Sequence, residues 1–204
     1  MKLRTLLPLA LVALAGCAAG PPPAPFFVDS AATLTPPPAD KAQIVFLEPI
    51  NAIQGAFPTG VYEIRGTERT LLAELASHTK SVQMVAPGHH VYMSSQGGTA
   101  HIMEADVVAG KRYYVLMRFI YANGMQLRPI RPTGPSDFAA TNKDFAEWVS
   151  ITRFVDKTAA ADAHDQKFAE TFAKAQADGL ADWQKKTAAQ RAELTLNAED
   201  AIAR

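Results

Sequence analysis

The residue pattern predicts a mainly β protein: an antiparallel β-sandwich-like domain followed by a C-terminal α-helical segment. Three observations predict it. Between Gln43 and Pro132, short runs rich in Val, Ile, Tyr and Phe alternate in period two and are punctuated by Gly, Pro and Asn. A single cysteine, Cys17, rules out any disulfide within one chain, so stability rests on an ordinary apolar core. From Asp162 onward the apolar residues recur at helical spacing. The chain divides accordingly into 1–16, 17–41, a β domain over 42–132, a mixed connection over 133–160 and a helical segment over 161–204.

The first sixteen residues have the order of a secretory signal. Lys2 and Arg4 are followed by an apolar run from Leu6 to Leu14, broken only at Pro8, and then by the small residues Ala15 and Gly16. The run is far short of the ~20 apolar residues that span a bilayer. Leu14-Ala15-Gly16-Cys17 resembles a bacterial lipobox. That resemblance implies diacylglycerol on the Cys17 sulfur, cleavage between Gly16 and Cys17, and acylation of the new amino terminus. Several acyl chains at ~0.8 kcal/mol per buried methylene anchor stably where one is marginal. Ala18 stands where the lipoprotein pattern places Asp for inner-membrane retention, so the expected location is the outer membrane, facing the periplasm. The alternative is an uncleaved N-terminal helix that buries Cys17.

Removing the leader leaves 18 basic and 20 acidic residues. A nucleic-acid binder needs a basic excess, and this chain has none. Residues 17–41 read as a lipidated cysteine and a proline-rich linker, because proline fixes φ and removes amide donors. Some 24 linker residues, fully extended, reach about 75 Å. Phe26, Phe27 and Val28 form an apolar island in it.

Gln43–Glu48 is apolar on both faces, as a central strand is. Gly60–Arg65 sets Val61, Glu63 and Arg65 against Tyr62 and Ile64. Arg69–Leu75 fits either a helical turn or a strand. In Thr79–Val85, Val82 and Met84 oppose Ser81, Gln83 and Val85. Ala86-Pro87-Gly88 reads as a hairpin turn leading to His89–Ser94. Gly97-Gly98 and Ala109-Gly110 break the next two runs. Lys111–Phe119 is the best strand: Tyr113, Val115, Met117 and Phe119 share one face, Tyr114 and Leu116 the other. Asn123-Gly124 is a hairpin signal, and Pro129 and Pro132 confine Met125–Pro132 to an edge. For 145–155 a strand is expected in the second half. Beyond it, Asp162 caps a helix whose stripe is Phe168, Phe172, Ala175, Leu180 and Trp183. Glu170/Lys174 and Asp182/Lys186 form i,i+4 pairs, Asp178-Gly179 kinks or divides the helix, and Asn197 caps a last turn.

Gly60-Val61-Tyr62, Pro87-Gly88-His89-His90-Val91 and Ala109-Gly110-Lys111-Arg112-Tyr113-Tyr114-Val115 resemble the small β-rich domain of many bacterial outer-membrane lipoproteins. The resemblance covers Gln43 to Phe119. It implies an envelope location and a β-sandwich-like body, and it carries no catalytic residue across.

Candidate chemistry is sparse. His89 and His90 point to opposite faces of one strand, so they cannot share a metal; His89 with His101 or His78 could. Glu104 and Asp106 lie on one face at i,i+2. Tyr62, Tyr92, Tyr121 and Trp148 offer a possible aromatic platform for glycan. No nucleophile elbow, His-Glu-x-x-His, Cys-x-x-Cys or phosphate loop occurs. The expectation is a membrane-anchored envelope lipoprotein that acts as a non-enzymatic scaffold or interaction module. Its one site residue is Cys17, with no catalytic, cofactor or metal residue. Its partners are the membrane and an envelope protein or peptidoglycan. The alternatives are a peptidoglycan- or glycan-binding module and a metal-dependent hydrolase built on His78, His89, His101, Glu104 and Asp106.

Overall fold

The computed structural model describes residues 24–50 and 57–202. Cys17 and the leader lie outside the described residues. Among the described residues the strands are β1 (Phe27–Asp29), β2 (Ala42–Glu48), β3 (Thr59–Arg65), β4 (Glu68–Leu75), β5 (Thr79–Val85), β6 (Gly88–Ser95), β7 (Ala100–Val107), β8 (Arg112–Ile120), β9 (Gly124–Pro129), β10 (Arg153–Lys157) and β11 (Thr195–Leu196). The helices among the described residues are α1 (Lys143–Ile151), α2 (Ala159–Lys167), α3 (Ala169–Lys185) and α4 (Ala188–Glu193); a 3₁₀ turn follows at Ala198–Asp200.

The strands form two mixed sheets, ordered β1-β10-β5-β2-β8-β9 and β11-β7-β6-β3-β4. One core joins their inner faces. It takes Ile44 and Phe46 from β2, Tyr113, Val115 and Met117 from β8, and Val61, Leu75, Tyr92 and Met103 from the other sheet. Each sheet also buries its outer face. Tyr62, Ile64, Met93 and Ile102 pack under Phe172 and Trp183 of α3. Val45, Leu47, Tyr114 and Leu116 pack under Phe145 of α1 and Ile202. This is why β2 and β8 are apolar on both sides.

The expectation of an antiparallel arrangement is corrected: β2 pairs with β8, β5 with β10 and β7 with β11 in parallel. The cause lies in the turns. Ala86-Pro87-Gly88 and Ala109-Gly110 are not hairpins; they carry the chain from one sheet to the other, with Gly88 at φ 122° and Gly110 at φ 71°. A Pro-Gly or Ala-Gly signal sets local φ and reverses the chain without choosing a partner strand. True hairpins join β3–β4, β6–β7 and β8–β9.

Other corrections follow the same logic of tertiary override. Arg69–Leu75 belongs to strand β4, with an irregularity opposite Val61/Tyr62 that turns Leu72 toward the core while Leu71 faces out; that break in alternation made it look helical. The first part of 145–155 is helix α1, whose N-cap Asn142 accepts from the Asp144 amide at 3.0 Å, and only Arg153–Lys157 is strand. Thr158, not Asp162, precedes α2, and Asp162 instead binds Lys157. The break between helices falls at Phe168, and α3 runs unbroken through Asp178-Gly179. Gly179 sits where a Cβ would lie 3.1 Å from the Ala100 carbonyl oxygen, so glycine lets α3 approach β7. The surface pairs are Lys174–Asp178 and Lys185–Asp182.

The linker expectation for 17–41 also changes. Strand β1 pairs with β10, the Thr158 amide and hydroxyl donate to the Phe26 and Pro25 carbonyls, and Arg112 and Gln43 donate to the Thr35 carbonyl. From residue 24 onward this stretch is part of the body. β10 of the 133–160 connection and β11 of the C-terminal segment each add a strand to one of the two sheets.

Candidate functional site

A groove of about 660 Å³ opens on the outer face of the first sheet, where β8 begins. Leu34, Pro36 and Pro37 form one wall, Ala146 and Val149 of α1 another, and Ala201 and Ile202 a third, with Tyr114 beneath. Each wall is held. The Ile202 amide donates to the Arg112 carbonyl at 2.8 Å, and the Gly110 amide donates to the Lys41 carbonyl at 2.8 Å. The buried Arg112 guanidinium bonds the Gln43 side chain and the Thr35 carbonyl, tying the proline-rich segment to β2 and β8. On α1, Lys80 reaches up from β5. Its ammonium donates to the Val149 carbonyl at 2.6 Å and stands 4.7 Å from the Phe154 ring centre. Burial lowers the Lys80 pKa, and the helix C-terminus it meets favours the charged form. Lys111 is exposed at the rim of the groove. The result is an apolar trough with a cationic edge, a surface that suits an apolar segment bearing an acidic group.

Sequence reasoning did not find this site. Its first wall was assigned to the linker, and Lys111-Arg112 was read as the start of a strand and as part of the resemblance, not as a binding edge. The signals available were Leu34 standing alone before Pro36-Pro37 and, far along the chain, the only adjacent Lys-Arg pair, Lys111-Arg112.

The structure disperses the histidines. His89 and Asp106 are cross-strand partners on the outer face, with Nδ1 3.0 Å from Oδ1. His101 is opposite Ser94, on the inner face and five residues along the ladder, or about 17 Å away. Its Nε2 is 2.7 Å from the Asn123 carbonyl oxygen, and burial lowers its pKa. His78 occupies the turn before β5 at φ 59°. His90 places Nδ1 2.7 Å from Glu63 and Nε2 2.8 Å from the Ala86 carbonyl, so both ring nitrogens face acceptors. Burial works against ionisation of Glu63, but hydrogen bonds from His90 and Arg65 outweigh it and lower its pKa. This pair clasps the crossover at Ala86-Pro87. Glu104 does share a face with Asp106, yet it accepts from the Trp183 indole at 2.9 Å. Among the described residues, no three His, Cys, Asp or Glu side chains gather as a metal ion requires. Tyr62 and Tyr92 are fully buried, whereas Tyr121 is 88% exposed, so these rings form no common platform.

Two buried carboxyl groups stand out. Glu48 ends β2 inside the sheet pair, fully buried, and neither oxygen is hydrogen-bonded among the described residues. Burial pushes its pKa up to about 8. Glu74 lies under the helices, and burial followed by the charge of Asp165 pushes it up to about 7. Asp165 itself is held by Arg69 at 3.1 Å, whose guanidinium lies against the Tyr62 and Phe172 rings. Neither group adjoins a described groove.

No family model matches this chain, and none of the curated proteins matches it in sequence.

Proposed function

We propose that the protein is a lipid-anchored module of the bacterial cell envelope, a β-sandwich-like scaffold that works by binding a partner. The reading is non-enzymatic. The anchor is Cys17, in the outer membrane and facing the periplasm, and the resemblance to the small β-rich lipoprotein domain gives the same location. The binding surface is the groove beside Lys111. Its occupant is a peptide segment of an envelope protein, apolar and bearing an acidic residue to meet Lys111.

The observation that carries the reading is the Leu-Ala-Gly-Cys sequence ending at the chain's only cysteine. The groove beside Lys111, apolar along its walls with one exposed ammonium at its rim, supports the binding part of the reading. A photo-crosslinking residue at Ala146, with the native anchor kept in living cells, tests the proposal. One dominant envelope protein joined through Ala146, and lost on Lys111→Glu, is the expected result. Peptidoglycan fragments in its place would favour the glycan reading, and uniform background labelling would refute the groove as the binding surface.

A further inference from the structure

The place where the chain joins the body orients the body on the membrane. Between Cys17 and Ala24 there are seven Cα-to-Cα steps, a span of at most about 25 Å. The body is longer than that: nine-residue β8 alone runs about 30 Å. So the anchor keeps the end of the body where the chain joins nearest the lipid. The chain joins beside the start of α2, where Thr158 grips Pro25 and Phe26.

Around that point the surface is apolar. The Phe26 ring lies 4.7 Å from His164, and the His164 ring 4.7 Å from Phe168. Phe168 is 40% exposed at the α2–α3 junction, and Lys167 sits over its ring at 5.2 Å. Val28, two residues along the strand from Phe26, is 48% exposed. Among the described residues Val28 and Phe168 are left exposed, while Phe26 is partly buried against the core. The nearby acidic residues Asp29 and Asp162 are neutralised by Arg153 and Lys157, while Asp156 is exposed. That balance suits a zwitterionic surface better than an anionic one.

We infer that the patch of Phe26, Val28 and Phe168 is the membrane-apposed face of the body, resting on the headgroup region of the bilayer that holds the anchor. This rests on the anchored reading of Cys17. It places Tyr121 far from the lipid, since Tyr121 lies at the opposite end of the strands and beside the opposite edge of the first sheet.

The test uses the full-length protein, processed in cells and reconstituted into phosphatidylethanolamine–phosphatidylcholine vesicles. Phe168→Cys, Val28→Cys and Tyr121→Cys each carry one fluorophore, Cys17 being blocked by its lipid. Headgroup spin-labelled lipid should quench the probes at 168 and 28 by about half, because a patch at the interface lies within ~10 Å of the quencher. The probe at 121 should be unaffected. Circular dichroism of each variant checks its fold, and two independent sites guard against local damage. Mass spectrometry of the mature chain separates the two ways to fail. If no acyl mass is found on Cys17, the anchored reading falls and this inference with it. If the acylated protein floats with vesicles while 121 is quenched, or while 168 and 28 are not, the anchor stands and the proposed face is wrong.

Discussion

Glu48→Gln keeps the shape of a fully buried side chain and removes its titration. In the wild type, burial holds the Glu48 carboxyl protonated to about pH 8, against 4.5 for an unperturbed glutamate. A raised folded-state pKa contributes stability that is complete below the unfolded value and is lost as pH rises toward the folded one. The unfolded chain releases its proton from pH 4.5 upward while the folded chain keeps it, so each pH unit in this window costs about 1.4 kcal/mol. Integrated from pH 5 to pH 8, the Glu48 contribution falls by about 3 kcal/mol. Glu74, raised to about 7, adds a smaller loss of the same sign. His101, whose pKa is lowered, acts oppositely, since its contribution is lost as pH falls through its ordinary range. Comparing wild type with Glu48→Gln cancels both. Urea unfolding followed through Trp148 and Trp183, which report from the two outer faces of the fold, measures the difference. The variant should gain on the wild type by about 3 kcal/mol between pH 5 and pH 8. Parallel stability profiles for the two proteins would refute the placement of Glu48 in a dry, unpaired site.

Three further outcomes are expected. Arg131→Met should cost about 2–4 kcal/mol, because Arg131 bonds the Ala192 and Thr195 carbonyls and the buried Asp200 carboxylate at once, and its loss strands that charge; hydrogen exchange should show the gain in opening confined to 188–202. Gly179→Val should lower the unfolding midpoint and shift Trp183 fluorescence, because its Cβ meets the Ala100 carbonyl at 3.1 Å and α3 must lift from β7. Cys17→Ala should leave an uncleaved, unlipidated precursor, measured as intact mass and as loss from the membrane fraction; recovery of a mature, membrane-bound chain would refute the lipobox reading.

Much of the strand pattern was legible because each strand obeys a local rule. Two-sided apolarity marked β2 as central, and Tyr113, Val115 and Met117 were set correctly on one face of β8. Partner choice was not legible. Nothing local in Ala86-Pro87-Gly88 tells a hairpin from a crossover, since both need the same reversal and the same positive φ. The helix stripe was read to within a turn, but Phe168 was misplaced in it. A residue at a helix break has the spacing of the helices on both sides and the exposure of neither. The groove was hidden for a different reason. Its walls come from residues 34–37, 110–114, 146–149 and 201–202, and only the tertiary fold brings those stretches together.

The proline-rich stretch shows how composition can mislead about reach. Read as free polyproline, residues 18–41 would let the body sample about 75 Å of periplasm. Proline withholds amide donors but leaves every carbonyl available, and the body uses those carbonyls: Pro25, Phe26 and Thr35 each accept from a residue of the folded domain. Residues 25–35 therefore form a strap, and Arg112 is the bolt that holds its far end against β8. Two consequences follow from that one change. Under the proposed anchoring at Cys17, the body would stay within about 25 Å of its lipid, which favours partners at the membrane surface over those deep in the wall. The same strap supplies Leu34, Pro36 and Pro37 to the groove, so the segment that shortens the tether also builds the binding wall. In the proposed function, anchoring and recognition are two ends of one short stretch of chain.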